Sequence, residues 1–112
     1  MSATKTDMLR VVRWHGSQHP TLALMTHQLE QDGLRPFKWS NNANYRYGVR
    51  SHGHAKSLYC VEGSMEVFLP DTRQRVVLKK GDRIDIAAGA RHSITVGPQG
   101  VMCVEGTPAA RR

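Results

Sequence analysis

The sequence predicts a single all-β domain, an antiparallel sandwich or small barrel with one N-terminal helix. Three observations point there. From Arg35 onward, short runs rich in Val, Ile, Tyr, Phe and Trp alternate with turns carrying Gly, Pro, Asn and Asp. Between Thr21 and Asp32 the apolar residues instead fall at helical spacing. The 112 residues suffice for one core and leave no room for a second domain. Periodicity does not choose between sandwich and barrel.

The elements follow in order. Arg10 to Trp14 reads as a short strand, and Gly16 to Pro20 as a turn. Leu22, Met25 and Leu29 stand at i, i+3 and i+7, with Thr21 as N-cap and Gly33 just past the end, so a helix over 21–32 lies as a lid on something flatter. Strands are expected at Arg35–Ser40, Tyr45–His54, Ser57–Glu62, Met65–Leu69, Arg75–Lys79, Arg83–Ile86, His92–Val96 and Val101–Glu105. Between them lie the turns Gly63-Ser64, Pro70-Asp71-Thr72, Lys80-Gly81-Asp82, Ala88-Gly89 and Gly97 to Gly100. The β core thus runs over about 35–105, the strand–helix extension over 10–33, and 107–112 is a frayed tail.

Composition excludes several classes. With 39% apolar and 22% charged residues, the chain is neither a disordered tail nor a membrane protein. Apolar runs such as Val76-Val77-Leu78 are far below the ~20 residues that span a bilayer. The start, Met1 to Asp7, is polar and lacks the pattern of a secretory signal. Cys60 and Cys103 are too few for a disulfide scaffold and lack CxxC spacing, so a cytoplasmic protein is expected. The net charge of +7 comes from bases spread from Lys5 to Arg112, not from a dense run. That pattern fits a solubilising surface; neither nucleic acid nor membrane is an expected partner.

Three histidines carry the chemistry. On an extended strand His52 and His54 point to one face, about 6.6 Å apart at ~3.3 Å per residue, and two such imidazoles can converge on one ion. His92, from a distant strand, joins them only if the sheet closes. His15 and His19 lie in a turn and His27 sits beside the helix stripe, so these three read as surface residues.

His52-Gly53-His54, then Leu58 to Gly63, then Gly81-Asp82, Ala87-Ala88-Gly89 and His92, together resemble the cupin family. The resemblance covers about Arg46 to Val96. The six residues between Lys56 and Gly63 and the ten between Gly81 and His92 match the family's spacing. It implies a jelly-roll barrel holding a divalent metal through His52, His54 and His92. The chain also departs from the pattern. Lys56 stands in the slot of the usual glutamate ligand, or Leu58 if the gap is counted forward from His54. Arg46 replaces the opening glycine, Ala87 a proline and Val96 an asparagine.

An ammonium has no lone pair to offer. At ~4 Å from a divalent ion and an effective dielectric near 20, it is repelled by about 8 kcal/mol. Lys56 must therefore be neutral, swing its stem outward, or sit in a barrel without metal. With metal, three imidazoles and open positions suit Zn, Fe, Ni or Cu alike. The missing carboxylate favours a small anionic ligand. Strict alternation sets Arg46 and Arg50 on the face of the histidines, and Arg50 is expected to hold a carboxylate or phosphate bidentately unless a bulge reverses the parity.

Trp14, Phe37, Trp39 and Phe68 read as core or dimer-interface anchors, and pairing through sheet edges makes a homodimer the expected assembly. Cys60 is expected to fill the barrel, with no bond to Cys103. Two functions follow: a metal-dependent small cupin acting on an anionic molecule, or a metal-free, non-catalytic ligand-binding or sensing barrel.

Overall fold

A computed structural model describes residues 8–14 and 17–109. The strands are β1 (Leu9–Val12), β2 (Leu34–Asn41), β3 (Arg46–Arg50), β4 (Lys56–Leu69), β5 (Gln74–Lys79), β6 (Arg83–Ile86) and β7 (His92–Pro108); helix α1 (Leu22–Gln31) lies between β1 and β2. All pairings are antiparallel, in the order β1-β6-β4-β7-β2, with β3 added to β7 and β5 to β4.

Two long strands organise this sheet. Ser57–Glu62 with Met65–Leu69 form one strand, β4, and His92–Val96 with Val101–Glu105 form one strand, β7. The glycine-bearing segments between them are corners, not chain reversals. Register shifts occur between Cys60 and Glu62 and between Gly63 and Met65, where Gly63 pairs with Val101 but Met65 with Val96. Bulges of this kind bend a strand sharply. Gly63 takes φ 75°, and a Cβ there would run into the Gly100 carbonyl, so backbone meets backbone at the fold. One half then holds β1, β6, β2 and the near ends of β4 and β7; the other holds β5, β3 and their far ends.

The halves close over a core of Leu58, Cys60, Met65, Val67, Leu78, Ile84, Ile94, Val96, Val101 and Cys103, with Leu9 and Ile86 at its edge. Parity along β4 changes at the bulges: Leu58 and Cys60 face this core, and beyond the bulges Met65, Val67 and Leu69 do. Tyr59 and Val61 face outward and are buried by Met25 and Leu29 of α1 together with Val104. Covering on both sides explains why Lys56 to Val61 is buried without a break.

Helix α1 begins where its cap requires it, with Thr21 Oγ1 accepting from the Leu24 N–H at 3.2 Å, and Gly33 follows its end at φ 81°. Arg83 ties the helix end to the barrel by donating to Asp32, Asp85 and the Tyr59 hydroxyl. The strand expected at Arg10–Trp14 is Leu9–Val12. Thr107 and Pro108 are not frayed but paired with Arg35 and Leu34; 110–112 lie outside the described residues. His15 lies outside them too, while His19 and His27 are exposed. Cys60 and Cys103 are both buried and free. Among the described residues no helix is long and apolar enough to cross a membrane.

Candidate functional site

A cavity of about 310 Å³ opens at the end of the barrel where β2, β3, β4 and β7 meet. Alternation explains its walls. On β7, Val101, Cys103 and Glu105 share the inner face; Val101 and Cys103 fill the core, and Glu105 reaches the cavity. On β2, Trp39 is paired with Cys103 and Phe37 with Glu105, so both aromatics face the opening. Trp39 Nε1 donates to Glu105 Oε1 at 3.1 Å, and its ring meets Tyr47 edge-on at 5.6 Å. Phe37 is 63% exposed at the rim. Both aromatics wall the cavity, and Trp39 also packs against the barrel core as expected.

Strand β3 is bulged. Arg46 pairs with Thr95 and Tyr47 with Ile94, yet Arg50, three residues further, pairs with His92. The extra residue breaks strict alternation: Tyr47 and Arg50 both line the cavity, and Arg46 is exposed and does not. The Arg50 guanidinium lies 5.6 Å over the Tyr47 ring.

The strand expected to carry His52 and His54 ends at Arg50, and both histidines stand on the loop that follows. That loop is pinned by the Gly89 N–H, which donates to the His52 carbonyl at 2.8 Å. His52 is half-buried and its ring centroid is 5.6 Å from that of His92. His54 is exposed, stacked 5.7 Å from His52 with 21° between the planes. It does not line the cavity.

Lys56 points inward. It shares parity with Leu58 and Cys60, its side chain is only 10% exposed, and the stem is not swung out. Its Nζ lies 3.3 Å from His52 Nε2 and 3.7 Å from Glu105 Oε2. An ammonium can only donate, so His52 Nε2 accepts and its proton is on Nδ1. His92 is fixed the same way: Nδ1 donates to the Ala90 carbonyl at 3.0 Å, leaving Nε2 as a bare lone pair. The side chain is 1% exposed and Nε2 has no partner among the described residues. Burial, then the Lys56 charge and that of His92, hold His52 below the ordinary histidine range. Burial likewise lowers His92, and the Ala90 hydrogen bond opposes it only in part.

No protein-family model and no curated protein matches the sequence. Solved structures do. A cupin superfamily protein from Desulfitobacterium hafniense is 11% identical, over 91% of this chain and 78% of its own, with a TM-score of 0.60. An RmlC-like cupin from Shewanella frigidimarina is 24% identical over 70% of this chain and 69% of its own, TM-score 0.59. This chain has the cupin fold. A polyketide cyclase from Streptomyces resistomycificus shares it at 25% identity and TM-score 0.62, though the match spans only 56% of the cyclase and 70% of this chain.

Metal-binding cupins need converging lone pairs and no competing cation. The tautomers of this chain are favourable: Ala90 and Ala55 carbonyls take the Nδ1 protons of His92 and His54, as backbone carbonyls do behind metal-bound imidazoles. Yet Lys56 Nζ lies against the His52 lone pair, and no three His, Cys, Asp or Glu side chains converge as a ligand set among the described residues. The donors as arranged do not fit a metal ion. Glu105, Trp39 and Tyr47 are the wall residues that the motif reading missed; the alternation Val101-x-Cys103-x-Glu105 was the available signal for the carboxylate.

Proposed function

We propose that this chain is a ligand-binding cupin that takes a small anionic molecule into its barrel mouth and carries Lys56 in the place of a metal ion. One observation carries the reading: the Lys56 ammonium lies between the His52 lone pair and the Glu105 carboxylate, where it supplies the positive charge a metal would supply. The cavity is concave, walled by aromatics and furnished with a few polar groups, as small-molecule sites are. An anion is favoured because Glu105 already faces Lys56, whereas Arg50 has no ion-pair partner among the described residues. A homodimer belongs to the same proposal, since β1 and β2 end the strand order as open edges and β2 presents Phe37. Sedimentation measures it, and a monomer at all concentrations would remove that part.

The competing reading is a metal centre of His52, His54 and His92, favoured by the Nδ1 hydrogen bonds of His54 and His92. The experiment that separates them is metal analysis of untagged protein after reconstitution with Zn, Fe, Ni and Cu in turn. The expected result is no stoichiometric metal in the native chain and a gain of at least 100-fold in zinc affinity in Lys56→Glu, which exchanges the repelling cation for a carboxylate. One tightly held equivalent in the native chain would overturn the proposal in favour of the three-histidine centre.

A further inference from the structure

We infer that the seam between β2 and β3 is a docking surface for single-stranded nucleic acid, with bases stacking on the uncovered rings of Phe37 and Tyr45 and phosphates on Arg35, Lys38, Arg46 and Arg50. The inference goes beyond the small-molecule reading and does not rest on it, because Arg35, Lys38, Tyr45 and Arg46 do not line the cavity.

The seam is a product of closure. Strand β2 ends the strand order in one half of the barrel, and β3 pairs only with β7 in the other. The Trp39 ring meets Tyr47 at 5.6 Å and Asn41 Nδ2 donates to the Tyr47 hydroxyl at 2.9 Å, so the two free edges lie side by side. Tyr45 continues the aromatic row, edge-on to Tyr47 at 4.8 Å, and Phe37 stands two residues from Trp39 on the same face of β2. Both outer rings are uncovered: Phe37 is 63% exposed and Tyr45 47%.

The charge of the seam is one-sided. No Asp or Glu occurs from Gly33 to Val61, and Arg35, Lys38, Arg46 and Arg50 all lie in that stretch. All four are exposed, and none has a carboxylate at ion-pair distance among the described residues. Elsewhere on the surface Arg10, Arg13, Arg75 and Arg91 each meet one. The other two described cations without such a partner, Arg73 and Lys79, stand at the ends of β5. Glu105, opposite Phe37 in register, is turned into the cavity and balanced by Lys56. In the sequence these bases look scattered; the fold sets them along one opening.

Cations interleaved with uncovered rings suit a polymer that offers both phosphates and flat bases. A duplex offers the phosphates but keeps its base faces stacked on one another. An acidic peptide would need main-chain pairing to order it, and β2 carries Pro36, which has no N–H to give an added strand. A single strand meets both features. A pair of chains joined through β1 leaves the seam open to it.

Fluorescence anisotropy with labelled oligothymidylate and oligouridylate of about twelve nucleotides, within the range of single-strand sites, tests this on the native chain. The expected result is binding of at least one, with log affinity falling against log salt at a slope of about −2 to −3, as four phosphate contacts dictate. Lys38→Gln together with Arg46→Gln should make that slope shallower by about 1. Phe37→Ala should weaken binding about fivefold or more at one salt concentration. These residues are exposed, and an unchanged unfolding midpoint shows that each variant is folded. No binding of either oligomer at low salt, an unchanged slope in the double variant, or unchanged affinity in Phe37→Ala overturns the inference. So does equal affinity for a duplex of the same length, for an abasic phosphodiester chain or for polyglutamate, since each would leave charge alone as the attraction.

Discussion

Lys56 is where a single residue does most to set the chemistry of the barrel. Its direction is fixed by parity with Leu58 and Cys60, and Glu105 is the carboxylate that makes the inward direction tolerable. The two side chains are 10% and 19% exposed, so neither charge is well solvated. Removing only one charge is then worse than removing both. Glu105→Gln keeps an oxygen for the Trp39 N–H but strands the ammonium, and it is expected to lower stability by about 1–3 kcal/mol in urea denaturation. Adding Lys56→Met should restore part of that loss, with a coupling of about 1 kcal/mol or more. Strictly additive losses would mean that the pair does not interact. At this scale the cupin resemblance set Lys56 in the slot of the usual carboxylate, and the strand pattern set His92 at the start of a β-strand. Neither showed that the bulge between Tyr47 and Arg50 separates Arg46 from Arg50. A bulge is one unpaired residue, and no residue type in Tyr47-Gly48-Val49-Arg50 announces which way it will move the register.

Elements were legible where local chemistry ends them. Helix α1 starts at its Thr21 cap and stops before Gly33, within a residue of the expected bounds, because the hydrogen bonds that terminate a helix are local. Strands β4 and β7 were each split in two because a glycine in a corner and a glycine in a reversal look alike in sequence. Whether Gly63 turns the chain back or merely bends it depends on Gly100, thirty-seven residues away in the chain and touching it in space. The distinction is measurable. At Gly33 a Cβ meets nothing within 4 Å, so Gly33→Ala carries only the left-handed backbone cost of about 1 kcal/mol. At Gly63 the same backbone cost is joined by collision with the Gly100 carbonyl, which belongs to a paired strand. Gly63→Ala is therefore expected to lose at least twice the stability of Gly33→Ala, about 2–4 kcal/mol. Equal midpoints in thermal unfolding would mean the corner is not a close backbone approach.

At the scale of the whole molecule, closure is what turns scattered residues into a site and scattered apolar strands into a core. Cys60 and Cys103 mark the middle of that core: they are directly paired across β4 and β7, both fully buried and both free. Desolvation pushes the Cys60 thiol up to about 12 and the Cys103 thiol higher still, with Asp82 and Glu62 adding at Cys60, and Cys60 itself and then Glu105 adding at Cys103. The unfolded chain, whose thiols ionise near pH 9, therefore releases these protons first as pH rises. The contribution of the two groups is fully present below that pH and is lost above it, by about 1.4 kcal/mol per pH unit for each thiol. The replacement of both by alanine should start less stable at pH 7, because two core side chains are shortened, yet decline less steeply between pH 9 and 11. Comparing the two slopes cancels the lysines and tyrosines that titrate in the same window. In parallel, a thiol reagent at pH 8 should find neither cysteine in the folded protein and both in urea, since only an exposed thiolate reacts. Parallel alkaline slopes, or rapid labelling of the folded chain, would show that the barrel is not closed over this pair.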